Sequence, residues 1–232
     1  MTPLFLLAWA QAPAKPIDVK DLAVPLGAAI DLDGKIGDEE WKGALRLPLE
    51  GGGALFVRHD AKNVYVGLRG ERQGWAHVYV KRGDEVVVRH ASASLGTAIY
   101  AKSEGGKWQP KQGFPAAGGE WALRETTLTP EVRALREKFL AREGWVATNN
   151  NMGKTEIELV LARKDLGERP VLAFAFVCDP TKPLLFPPTL SDGCTSAELL
   201  MGNTPSELDF RTDTWSRLRF TADAQSTATP SK

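Results

Sequence analysis

The chain has 232 residues, 43% of them hydrophobic and 25% charged, with 29 basic residues balanced by 29 acidic ones. Those are ordinary globular values, and a chain of this length buries roughly 70% of its unfolded surface without a metal or disulfide staple. A formal charge of zero removes the cationic footprint of a nucleic-acid binder or an anionic-membrane ligand, and no apolar run approaches the ~20 residues of a spanning helix.

In chain order, residues 1–12 read as a signal peptide. A short apolar run is followed by Ala8-x-Ala10 and Ala10-x-Ala12, both small-residue cleavage patterns. The expectation is a secreted or periplasmic protein. Residues 13–21, rich in Pro, Ala and Lys, read as a linker, and 22–220 as a single domain. The Ser/Thr/Ala/Pro-rich stretch 221–232 reads as a disordered tail.

Within the domain, residues 54–59 and 64–69 have strand character and flank Asp60-Ala61-Lys62-Asn63, which predicts a hairpin. Residues 77–81 and 85–90 flank Arg82-Gly83-Asp84 and predict a second. Thr129-Pro130-Glu131 supplies an N-cap, a proline at the first helical position and an acid in the first turn. Val132, Leu135, Phe139 and Leu140 then share one face and Gly144 ends the segment, so one amphipathic helix is expected over about 129–143. Residues 155–161 alternate, with Ile157, Leu159 and Leu161 facing the core and Glu156 and Glu158 facing solvent. Residues 171–178 are almost continuously apolar, as in a central strand, and 215–220 alternate again. The pattern predicts an all-β fold, an antiparallel jelly-roll-like β-sandwich with one inserted amphipathic helix.

Residues able to carry chemistry are sparse. Cys178 and Cys194 can bridge in an oxidising compartment, or stand as two buried free thiols. His59, His77 and His90 are dispersed without zinc spacing. His90-Ala91-Ser92-Ala93-Ser94 is not a nucleophile elbow; on a strand it places His90, Ser92 and Ser94 on one face as a polar stripe. No enzyme and no cofactor are therefore expected. Trp108 lies in a Gly/Pro-rich loop and reads either as an exposed binding residue or as a loop plug, while Trp121 and Trp145 read as core. Ser191 and Asp192, Asn203, and the stretch 149–153 lie in turn-rich loops suited to a rim of polar recognition groups. Asp31, Asp33, Asp38, Glu39 and Glu40 cluster, but Lys35 and Lys42 occupy positions where a calcium loop needs ligands, so turn and cap roles are expected there.

The stretch from Ile30 to Ala44 contains Asp33-Gly34, Asp38 and Trp41, and Asn63-Val64-Tyr65-Val66 follows it. This succession resembles the opening of family 9 carbohydrate-binding modules and their DOMON-like relatives, and residues 215–220 resemble their closing strand. The resemblance implies a β-sandwich and a non-catalytic, exported module binding a glycan or another small ligand. It implies a sandwiching role for Trp75, with His77 beside it in place of the acidic strand such modules carry. Leu190-Ser191-Asp192 stands where they show a second tryptophan. Structural calcium, with Asp31 and Asp33 as weak candidate ligands, is also implied. Two alternatives stand beside this reading. One is a haem or redox DOMON-like module using Met152 or Met201, and the other is an envelope interaction domain using the helix or loops.

Overall fold

The computed structural model describes residues 18–115, 127–148 and 155–222. The leader, Trp121, the stretch 149–153 with Met152, and the residues after 222 lie outside them.

Thirteen strands form two sheets among the described residues. In chain order they are β1 (Asp21–Val24), β2 (Leu45–Pro48), β3 (Ala54–His59), β4 (Asn63–Arg69), β5 (Trp75–Arg82), β6 (Glu85–Ala91) and β7 (Leu95–Lys102), then β8 (Trp108–Gln112), β9 (Trp145–Ala147), β10 (Glu156–Ala162), β11 (Val171–Val177), β12 (Leu184–Phe186) and β13 (Ser216–Phe220). The larger sheet runs β1-β13-β11-β5-β6-β7-β8, with β12 paired to β11; the smaller runs β2-β3-β4-β10-β9. The fold is the all-β sandwich the alternation predicts, and both predicted hairpins form, as β3–β4 and β5–β6. The ladders are antiparallel with one exception. β1 runs parallel to β13 at the sheet edge, which strand patterning alone does not specify.

The helix forms over Pro130–Glu143 (α1), with the Thr129 hydroxyl accepting from the Val132 N–H and Gly144 closing it in the left-handed region at φ 71°. It buries Val132 and Phe139, and the Phe139 ring meets Trp145 edge-on at 6.0 Å. Trp145 is fully buried, as a core residue should be.

Alternation along the large sheet feeds two separate cores. Ala76, Val78 and Val80 of β5 and Leu172, Phe174 and Phe176 of β11 point at the smaller sheet. Tyr79 of β5 and Ala173, Ala175 and Val177 of β11 point the other way, onto an irregular cover made by residues 187–214. That cover contains a 3₁₀ turn (Gly193–Thr195) and a single helical turn, α2 (Ala197–Leu200). β11 is apolar throughout because neither of its faces reaches water.

Segments that lie over the sheets account for three corrections. Trp108, read as a candidate exposed binding residue, is 4% exposed, and its indole N–H donates to the Phe210 carbonyl of the cover at 3.0 Å. The expected Cys178–Cys194 bridge does not form; both thiols are free. Cys178 packs against the inter-sheet core while Cys194 is buried under the cover, so the large sheet stands between them. On β10, Glu158 does not face solvent but is fully buried, because residues 30–44 fold over that side of the smaller sheet and bring Trp41 onto it.

Candidate functional site

The residues singled out for ligand binding divide into two groups when folded. Trp75 and His77 start β5 on the covered face. The Trp75 indole N–H donates to the Leu200 carbonyl at 2.6 Å, and His77 Nε2 lies 3.1 Å from the same oxygen. Half-buried Trp75 and fully buried His77 therefore anchor the cover instead of facing a ligand. Ser191 and Asp192 lie at another place. The Asp192 carboxylate accepts from the Cys194 N–H, the Arg211 N–H and the Trp215 indole, while Arg211 holds Ser191 through its carbonyl and hydroxyl. Ser191 and Asp192 also line an open cavity of about 620 Å³ with Lys107, Glu207 and Asp209, apart from Trp75 and His77.

Asn203 opens onto a pocket of about 430 Å³ that also includes His90, Ser92, Ser94, Phe114, Pro115, Met201 and Thr204. Its walls are the β6–β7 turn, the chain leaving β8, and the stretch after α2. The Thr204 hydroxyl accepts from the Phe114 N–H at 3.0 Å and ties two of these walls together. Gly202 is required where it stands. Its φ is 78°, and an added Cβ would lie 3.2 Å from His90 Nε2. Met201 is 54% exposed, one of two large apolar residues left open among those described. None of the described lining residues carries a charged side chain.

Beneath the pocket runs a chain of hydrogen bonds. Ser92 Oγ lies 2.8 Å from His90 Nε2, and His90 Nδ1 lies 3.1 Å from His77 Nε2. The spacing invites comparison with a serine nucleophile and its base, but proton placement decides against that. His77 Nδ1 is buried with no hydrogen-bond partner, so a proton there would be a stranded donor costing about 1–3 kcal/mol. A proton on Nε2 instead meets the Leu200 carbonyl and the facing lone pair of His90 Nδ1. His90 must then carry its own proton on Nε2 and donate it to Ser92. The histidine gives a hydrogen bond to the serine and cannot take its proton, which is the reverse of what general-base activation needs. Burial pushes both imidazoles down, His77 well below 6.5 and His90 to about 4, so both are neutral near pH 7.

A second cluster sits on the smaller sheet. Oxygens of Asp33, Glu40 and Glu158 lie within 4.8 Å of one another. Glu158 accepts from the Trp41 indole at 3.0 Å and from the Gly34 N–H at 2.7 Å, yet burial pushes its carboxyl up to about 8. An all-oxygen set of this kind suits a hard cation such as calcium. Of the two acids expected here, Asp33 belongs to this group, whereas Asp31 pairs with Arg133 of α1 through both guanidinium Nη atoms. Glu158 was missed because alternation assigned it to the wet face; its three-dimensional neighbours come from 117 and 124 residues away.

No protein-family model matches the chain, and no curated protein matches it. Among solved structures it is similar to a family 9 carbohydrate-binding module from Caldicellulosiruptor kristjanssonii in complex with cellotriose. That similarity has 9% identity and a TM-score of 0.42, covering 92% of this chain and 100% of that one. The ligand in that complex belongs to that protein, and the two-sheet fold described here rests on its own ladders.

Proposed function

We propose that this chain is a non-catalytic binding module, and that its ligand is a neutral hydroxylated molecule of the sugar class held in the pocket beside His90. The observation that carries the reading is the pocket's chemistry. In a chain with 25% charged residues, its lining has hydroxyls, an amide and a neutral imidazole but no charge. Phe114, Pro115 and Met201 add apolar surface suited to the C–H face of a sugar ring. Ser92, whose oxygen accepts from His90, donates only a long 3.4 Å bond to the Ser94 carbonyl, which a ligand oxygen can replace. A charged ligand would find no counter-charge here and would lose hydration on entry.

Calorimetric titration with neutral mono- and oligosaccharides, cellotriose among them, tests the proposal. Binding is expected, and Asn203→Ala and Phe114→Ala should each weaken it about tenfold, the loss of one buried hydrogen bond or ring contact. Absence of heat with every sugar, or unchanged affinity in both variants, overturns it. The structural-calcium expectation passes to Asp33, Glu40 and Glu158 on the strength of their oxygen-only convergence. Export remains the reading of the leader, to be checked by fractionating cells that express the full chain.

A further inference from the structure

The pocket wall formed by residues 200–204 is tied to β5 at its first residue, through the Leu200 carbonyl, and to the chain leaving β8 at its last, through the Thr204 hydroxyl. The Leu200 carbonyl takes both the Trp75 indole N–H and the His77 Nε2 proton, and between the two ties the Gly202 N–H to Leu199 and Asn203 N–H to Glu198 bonds stay within the cover. His77 keeps its proton on Nε2 only while His90 Nδ1, 3.1 Å away, presents a lone pair. His90 in turn borders the pocket, from which a solvent proton can reach it.

We propose that the His90–His77 pair is an acid-sensitive latch that holds residues 200–204 closed at neutral pH and releases them on acidification. A proton added to His90 goes to Nδ1, the nitrogen without one. Two N–H groups then face each other at a distance that suits one hydrogen bond. His77 must move its proton to Nδ1, which has no acceptor, or the rings must part. Either way Leu200 is left with Trp75 alone, and the wall that lines the pocket loosens.

Other ionisable groups do not offset this. From the sheet, Tyr79 stacks on His77 at 5.9 Å, but its hydroxyl donates to the Cys194 carbonyl. On the cover, Asp192 acts on Tyr79 and Cys194, and Glu198 acts on Tyr100. Phe114 meets His90 from the β8 side with no charge. Among the described residues no carboxylate bonds to either ring to stabilise an imidazolium.

The latch as a control on ligand release rests on the binding reading above, but the wall's motion can be measured without any ligand. Amide hydrogen exchange of the full chain at pH 7 and pH 4.5, corrected for intrinsic rates, reads residues 200–204 directly. With an exposed imidazole at 6.5 and the covered one near 4, opening at pH 4.5 should be favoured by about ten- to eighty-fold. Protection at 201–203 should fall by that factor while β5 and β11 amides stay protected. In His90→Gln, whose amide can accept from His77 and donate to Ser92 without titrating, the fall should vanish.

Unchanged wild-type protection at 201–203, or the same fall in His90→Gln, overturns the latch. Should that variant fail to fold, imidazole nitrogen shifts of the wild type decide instead. Protons on Nε2 of both rings at pH 7 support the latch, and a proton on His77 Nδ1 refutes it. Sugars that never bind while the wall still loosens with acid would remove the ligand reading and leave the latch standing.

Discussion

The two faces of the large sheet are buried equally well by different means. Toward the smaller sheet, β5, β6, β11 and β13 present Val78, Val87, Phe174, Phe176 and Leu218, and the partner surface is another ladder whose backbone groups are already paired. Toward the cover, β5 and β8 present ring donors. Tyr79 bonds the Cys194 carbonyl, Trp75 and His77 bond Leu200, and Trp108 bonds Phe210. An irregular segment lying on a sheet brings carbonyls that no ladder satisfies, and burying them unpaired would cost about 1–3 kcal/mol each. Rings with a polar tip therefore stand on the covered face among small aliphatics, while the other face carries aliphatic residues and phenylalanine without polar tips. The lesson for this family of folds is that a row of tryptophans and tyrosines on a sheet need not be a ligand platform.

The sharpest break between the faces is expected from Phe176→Ala. It opens a cavity in the aliphatic core and should cost about 3–5 kcal/mol in urea denaturation, with unfolding still cooperative.

Next in size is the pH response of Glu158. Its folded value, about 8, lies above the ordinary 4.5, so the fold binds the proton more tightly than the unfolded chain. Its contribution is complete below pH 4.5 and is lost as pH rises through about 8, a swing on the order of a few kcal/mol. Glu158→Gln should flatten that slope while losing one hydrogen-bond acceptor. Millimolar calcium should raise Tm at pH 8 for the wild type and not for Glu158→Gln. His90 acts in the opposite direction. Neutral in the fold, it supports stability above pH 6.5 and withdraws it as pH falls through about 4. Melting curves across pH 4–9 for both variants separate the two limbs.

On the covered face, Tyr79→Phe strands the Cys194 carbonyl and should cost about 1–2 kcal/mol. Exchange should increase in the cover before it increases in the smaller sheet, whereas uniform loosening would argue against two separable cores. Smallest of all, breaking the exposed Asp31–Arg133 pair with Arg133→Ala should lower Tm only slightly, and the effect should fade with salt.

Much of the strand framework was legible because its causes are local. Asp60 caps its own turn by accepting from the Lys62 and Asn63 N–H groups, and Thr129 with Gly144 bounds the helix. Alternation also assigned residues to shared faces correctly, as with Ile157, Leu159 and Leu161 of β10 in the inter-sheet core. Asn203 could be placed in a loop, and His90 and Ser92 on one stripe, without knowing that a pocket joins them. What alternation cannot specify is the material that lies over a face. That depends on where residues 30–44 and 187–214 return, which is set by contacts more than a hundred residues apart in the chain.

The sequence by itself therefore determined the sandwich, the helix and which side chains stand together on a strand, since turn chemistry and a period of two act over a few residues. Only the tertiary structure decided that Trp108 is core, that Cys178 and Cys194 stand on opposite sides of a sheet, that Glu158 is buried, and that His77 faces His90. Those outcomes depend on which segment covers which face, and burial is a property of the neighbours that arrive, not of the residue that waits.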